Sequence, residues 1–174
     1  MANDVLTTAP TAQGFVMPQE AMLQHWQGHR QLTRRIIEAF PENELFGFSI
    51  GGMRPFAEMA LELISIAWGG TEGLVSGKWP HMSELMHHMG GTQPRTKEEL
   101  LALWDQVTGQ INERWPAISP ARWQEVELSF GLYEGPRYAL FLYWLDNENH
   151  HRGQGYVYLR ALGIEPAPFW DRGW

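Results

Sequence analysis

The stretch M-R-P-F-A-E-M-A-L-E-L-I-S-I-A-W-G-G-T-E-G-L-V, from Met53 to Val75, constrains the fold more than any other part of the chain. Phe56, Met59, Ala60, Leu63, Ile64, Ala67 and Trp68 recur three and four residues apart, which is the period of a helix. Leu61 and Ile66 fall between them, so the helix is apolar over much of its circumference. A helix of that kind cannot lie on a surface and must be covered from several sides. Gly69 and Gly70 are expected to weaken or kink its end.

Three further runs can cover it. Met22, Leu23, Trp26, Leu32, Ile36, Ile37 and Phe40 define a helix over about 18–40, opened by Pro18 and stopped by Pro41. Thr96 with Glu99 three residues on is a capping box. It starts a helix that carries Leu100, Leu103, Trp104, Val107 and Ile111 and ends near Trp115-Pro116. Gly135-Pro136 introduces the last helix, about 136–162, which Gly163 terminates with Pro166 and Pro168 beyond it. Residues 42–52 read as a connection. Residues 76–95 read as irregular, with one short helical piece at 83–89 closed by Gly90-Gly91. The segment after Pro116 holds a short extended piece, E-V-E-L-S-F. β-branched runs between the helices are missing, which excludes an α/β fold. The expectation is an all-α, antiparallel four-helix bundle with long crossover connections. Residues 1–17 form a flexible arm, 18–174 form one domain, and the aromatic tail A-P-F-W-D-R-G-W folds back onto the body.

Composition narrows the chemistry. With no cysteine among 174 residues, disulfides, thiolate nucleophiles and Cys-ligated zinc are excluded. A net charge of −7 argues against a nucleic-acid binder. No stretch approaches eighteen apolar residues and the N-terminus lacks a signal-peptide pattern, so the expectation is a cytoplasmic protein with no membrane contact. Nine Trp, eight Phe and five Tyr supply material for a core, a pocket or an interface.

On the last helix Leu140, Tyr143, Trp144, Asn147, His151, Gln154 and Tyr158 share one face. Asn147 and His151 are four apart, the spacing by which a helix offers two ligands to one ion. His150 points roughly 100° away and is read as a surface residue or as a support for its neighbour. Glu148 and Arg152 suit an exposed ion pair. On the second long helix Glu62 stands among apolar residues, where an unpaired carboxylate is costly. Two readings remain open for it. Either Glu58, Glu62, Ser65, Gly69 and Glu72 form a solvated stripe, or Glu62 has a cationic partner such as a metal ion. His25 and His29 are read as a solvated i, i+4 pair, and His87-His88 as exposed loop residues.

The stretch from His150 to Phe169, H-H-R-G-Q-x-x-V-Y-L-R-x-L-G-x-E-P-x-P-F, resembles the end of the DinB/YfiT-like family of four-helix-bundle metalloenzymes. G-M-R-P-F-A-E-M at 52–59 and H-W-Q-G-H-R-Q-L-T-R-R-I-I-E-A-F at 25–40 are similar to other parts of the family pattern, and the resemblance runs over about residues 18–170. It implies a divalent metal held by three histidines. Their positions fall on Glu62, Asn147 and His151 here, so only the last is a histidine. The resemblance implies a zinc, manganese, nickel or iron site, with the oxygen donors favouring manganese or weakly held zinc. It also implies metal-dependent hydrolase or thiol-transferase chemistry on an unidentified small-molecule substrate, and a homodimer. The alternative is a metal-free small-molecule-binding or stress-related interaction module, with the same three residues joined by hydrogen bonds.

Overall fold

A computed structural model describes residues 17–89 and 93–172. The sequence-predicted arm lies outside the described residues apart from Met17, as do Gly90 and Gly91. Helices dominate: α1 (Gln19–Ala39), α2 (Glu42–Gly47), α3 (Phe56–Ser76), α4 (Lys97–Arg114) and α5 (Arg137–Ala161). The four long helices begin and end within three residues of the positions expected from Pro, Gly and the capping box. At Thr96 the box is complete, with the Thr96 side chain on the Glu99 N–H and the Glu99 side chain on the Thr96 N–H.

α3 packs against α4 and α5, and α1 packs against the same two helices. The helix with the broadest apolar surface is therefore covered on both sides, and fourteen of its residues are buried. At the centre Trp26 of α1 meets Phe141 and Trp144 of α5 with ring centroids 5.6 and 6.1 Å apart, and Trp115 at 5.8 Å. Pairs of this kind add about 0.5–1.5 kcal/mol each beyond their burial. Gly70 does not end α3. A β-carbon there would lie 2.4 Å from the Trp144 ring, so the glycine allows α5 to approach α3 closely. That approach brings the polar residues one turn further along α5 opposite Glu62.

Two connections differ from the sequence expectation. Residues 42–47 form the short helix α2, with Leu45 fully buried against the core. The extended piece is one arm of a hairpin: β1 (Val126–Ser129) pairs antiparallel with β2 (Tyr133–Pro136). Phe130 at the turn adopts φ 56°, and Gly131 follows at φ 72°. This turn inverts the chain so that Phe130, 2% exposed, enters the core beside Trp79 and Trp144. The tail folds back as expected. The Tyr156 hydroxyl donates to the Ala167 carbonyl at 2.7 Å and Arg35 pairs with Asp171 at 3.0 Å. Phe169 and Trp170 nevertheless remain exposed. Among the described residues no helix is long and apolar enough to cross a membrane.

Candidate functional site

Glu62, Asn147 and His151 come together. Asn147 Nδ2 donates to Glu62 Oε1 at 3.2 Å, and His151 Nε2 lies 3.3 Å from the same oxygen. The four-residue spacing on α5 sets the two side chains one turn apart on the face that meets α3. His151 Nδ1 lies 2.7 Å from Gln154 Oε1, and Gln154 Nε2 points at Met53 Sδ, so the ring is held between Gln154 and Glu62.

The other Glu62 oxygen belongs to a residue to which the sequence assigned no role. Arg54 Nη2 donates to Oε2 at 2.6 Å. Arg54 precedes α3, and its position is set from α5: the buried Tyr158 hydroxyl donates to the Arg54 carbonyl at 3.0 Å. Burial pushes the Glu62 carboxyl up, but the hydrogen bonds from His151, Arg54 and Asn147 outweigh it and hold it well below the usual carboxylate range. Of the two readings of Glu62, the solvated stripe does not hold. The Glu62 side chain is only 17% exposed, and Ser65 and Gly69 of the same stripe are buried.

In front of this network lies a cavity of about 250 Å³. Glu62 and Arg54 form its polar end, and Ile66, Phe130, Leu140, Tyr143 and Trp144 supply most of the apolar and aromatic wall. Asn147 and His151 do not line it, and support Glu62 from behind. His87, expected to be exposed, is half-buried on the cavity wall. Burial, with the neighbouring His88 ring, lowers its pKa to about 4, so the ring is neutral near pH 7. Its Nδ1 is buried without a hydrogen-bond partner. Spacing carried no signal for His87, because a turn following the Met82–Glu84 3-10 segment places it against α3, where its backbone N–H donates to Ser65 Oγ at 3.2 Å.

As arranged, these residues do not fit a divalent ion. The Arg54 guanidinium already places a positive charge on Glu62, against which a second cation would be repelled. Asn147 turns its NH₂ group, which cannot ligate, towards the shared oxygen. Among the described residues no group of three or more His, Cys, Asp and Glu is placed to hold a metal ion.

A second polar pair on α5 is also buried. Glu148 and Arg152, expected to form an exposed pair, are 2% and 6% exposed. Their partners lie on α1. Thr33 Oγ1 donates to Glu148 Oε1 at 2.6 Å and Trp26 Nε1 to Oε2 at 3.3 Å. Arg152 reaches the His29 carbonyl and Nδ1. His29 is therefore buried, contrary to the solvated-face reading. Burial, then the charges of Arg152 and Arg172, lowers its pKa to about 3. His25 and His29 do meet, with their Nε2 atoms 3.1 Å apart. His150 is exposed, as expected.

Comparison with known proteins places this arrangement in a family. The model of the DinB family matches residues 14–172. The crystal structure of a DinB-like protein from Bacillus cereus ATCC 10987 is similar in fold, with a TM-score of 0.63 at 17% sequence identity, over 86% of this chain and 95% of that one. No curated protein matches. With a family model that spans nearly its whole length, and a bundle of the same form, this chain belongs to the DinB family.

Proposed function

We propose that this protein binds a small molecule without a metal ion. The ligand enters the cavity between α3, α5 and the hairpin, with Glu62 and Arg54 as its polar end and Asn147 and His151 holding Glu62 from behind. One observation carries the reading: Arg54 Nη2 sits 2.6 Å from Glu62 at the end of a cavity with apolar walls. A buried carboxylate needs a cationic partner, and here a side chain supplies one. Small-molecule pockets combine such apolar walls with a few converging polar groups. Glu62 stays ionised near neutral pH, so it serves as a fixed acceptor and not as a proton donor. The alternative is the metal-dependent one, in which Glu62, Asn147 and His151 hold zinc, manganese, nickel or iron. It is supported by the gathering of Glu62 from α3 and of Asn147 and His151 from α5 at one place.

One experiment separates the two. Protein purified without a histidine tag is analysed for metals and titrated with each of the four ions, alongside His151→Ala and Arg54→Ala. A fragment library is screened by ligand-observed NMR against the wild type and against Leu140→Trp, which fills the cavity. The expected result is no stoichiometric metal and fragment binding that Leu140→Trp abolishes. Stoichiometric metal in the wild type that His151→Ala loses would overturn the metal-free reading.

A further inference from the structure

The chemistry at the polar end of the cavity specifies the head group that fits it. Glu62 and Arg54 stand side by side and face the same space. Glu62 Oε1 is taken by Asn147 and His151, whereas Oε2 has only Arg54 and keeps a lone pair for another donor. Of the five N–H groups of the Arg54 guanidinium, only one on Nη2 is engaged with Glu62, and Arg54 is 44% exposed. A free acceptor and several free donors are thus adjacent.

A ligand with one charge meets this pair badly. A lone carboxylate gains Arg54 but approaches the Glu62 charge, and a lone amine gains Glu62 but approaches Arg54. Desolvating either charge beside a repelling partner is unfavourable. A head carrying both charges satisfies both partners with charge-assisted hydrogen bonds. The His87 ring on the wall is neutral near pH 7 and adds no repulsion against a positive group. Apart from His88 and the rings of Tyr133 and Tyr143, the rest of the wall is apolar, with Ile66, Phe130, Leu140 and Trp144 around the cavity. Its volume of about 250 Å³ lies just below the range of roughly 300–1,000 Å³ typical of ligand pockets, so the ligand is small.

We propose that the cavity recognises a small zwitterion, an ammonium next to a carboxylate on an apolar body, as in a free α-amino acid with an aromatic or branched aliphatic side chain. The ammonium donates to Glu62 Oε2, the carboxylate accepts from Arg54, and the side chain lies against the aromatic wall. The assignment rests on the cavity being a binding site, and it narrows that reading to one head-group chemistry.

The test compares L-phenylalanine and L-leucine with three analogues of phenylalanine: its amide, which lacks the carboxylate; 3-phenylpropanoate, which lacks the amine; and benzyl alcohol, which lacks both. Binding is measured by calorimetry and ligand-observed NMR. At least one of the two amino acids is expected to bind about tenfold or more tightly than the single-charge analogues. Arg54→Gln, a change at a half-exposed side chain, removes the preference for phenylalanine over its amide. Glu62→Gln removes the preference over 3-phenylpropanoate. Equal binding of the single-charge analogues, or a carboxylate preference that survives Arg54→Gln, overturns the head-group assignment. In that case binding that Leu140→Trp abolishes still supports the cavity as a site. If none of the five compounds and no member of the fragment library binds, both readings fall.

Discussion

Glu62→Gln tests the site network directly. Gln has nearly the same shape but no charge, and it cannot titrate. The substitution removes the charge from two contacts, His151 at 3.3 Å and Arg54 at 2.6 Å, and sets an NH₂ group against one of these donors. A hydrogen bond to a charged group contributes about 1.5–3 kcal/mol. His151 is buried and its contact belongs in that range. Arg54 is 44% exposed, and water screens its share to under about 1 kcal/mol. The expected cost near pH 7 is about 2–3 kcal/mol, which lowers Tm by about 4–12 °C for a chain of this size. The difference should depend on pH. The folded-state carboxyl titrates below its ordinary value of 4.5. Above that value Glu62 is ionised in both states and the full stabilisation is present. Below it the unfolded chain takes up the proton first, and the stabilisation is lost as pH falls towards the folded value. The wild-type advantage over Glu62→Gln should thus shrink as pH falls from 4.5 to about 3.5. Thermal melts of both proteins by circular dichroism measure it, and the other carboxylates cancel in the difference. A gap that stays flat or widens on acidification would refute the network.

Other substitutions probe the packing that positions the site. Gly70→Ala drives a methyl group into the Trp144 ring and should cost about 1–3 kcal/mol in a denaturant melt, with altered near-ultraviolet circular dichroism. Arg152→Met leaves the buried Glu148 carboxylate with hydrogen bonds from Thr33 and Trp26 and the more distant charge of Arg30. It should cost about 3–5 kcal/mol, and the double variant with Glu148→Gln should recover part of that loss in the same assay. His87→Leu removes a buried nitrogen that has no partner, so Tm at pH 7 should stay level or rise, whereas a fall of several degrees would mean that Nδ1 is bonded in solution.

The scaffold was legible because its signals are local. Pro18, Pro41, the Thr96–Glu99 box, Pro136 and Gly163 each act on the residues beside them, and the helices begin and end close to those marks. α2 was missed because six residues between Pro41 and Phe48 are too few to show a period, and only burial of Leu45 holds them. Gly69 and Gly70 were misread for a related reason. Glycine propensity predicts a weakened helix, but Trp144 of α5 uses the space that Gly70 leaves, and Leu85, Pro80 and Phe130 use the space beside Gly69. Arg54 was out of reach of sequence reasoning altogether. Its role depends on Tyr158, 104 residues away, holding its backbone where the side chain meets Glu62.

The polar residues of α5 show where a periodic reading stops. Asn147 with His151, and Glu148 with Arg152, are two pairs of the same spacing, offset by one residue and so turned by roughly 100°. Periodicity states that the pairs point in different directions but does not state which direction is water. Assigning one pair to the core and the other to solvent assumed that α5 has a single buried face. It has two, because α3 and α1 both pack against it. The first pair meets Glu62 of α3, and the second meets Thr33 and His29 of α1. The nearly even spread of polar residues around α5, which looks like a poorly amphipathic helix, is what a helix between two partners requires when both interfaces contain hydrogen-bonded charges. The first interface opens onto the cavity at which Glu62 and Arg54 keep free hydrogen-bonding capacity, and Arg152 of the second lines a separate cavity beneath the C-terminal tail. In the second, Glu148 and Arg152 spend their bonds on α1 and on each other. Chemistry directed at a ligand through Glu62 and Arg54 therefore belongs to the α3 side of α5, and the Glu148–Arg152 pair ties α5 to α1.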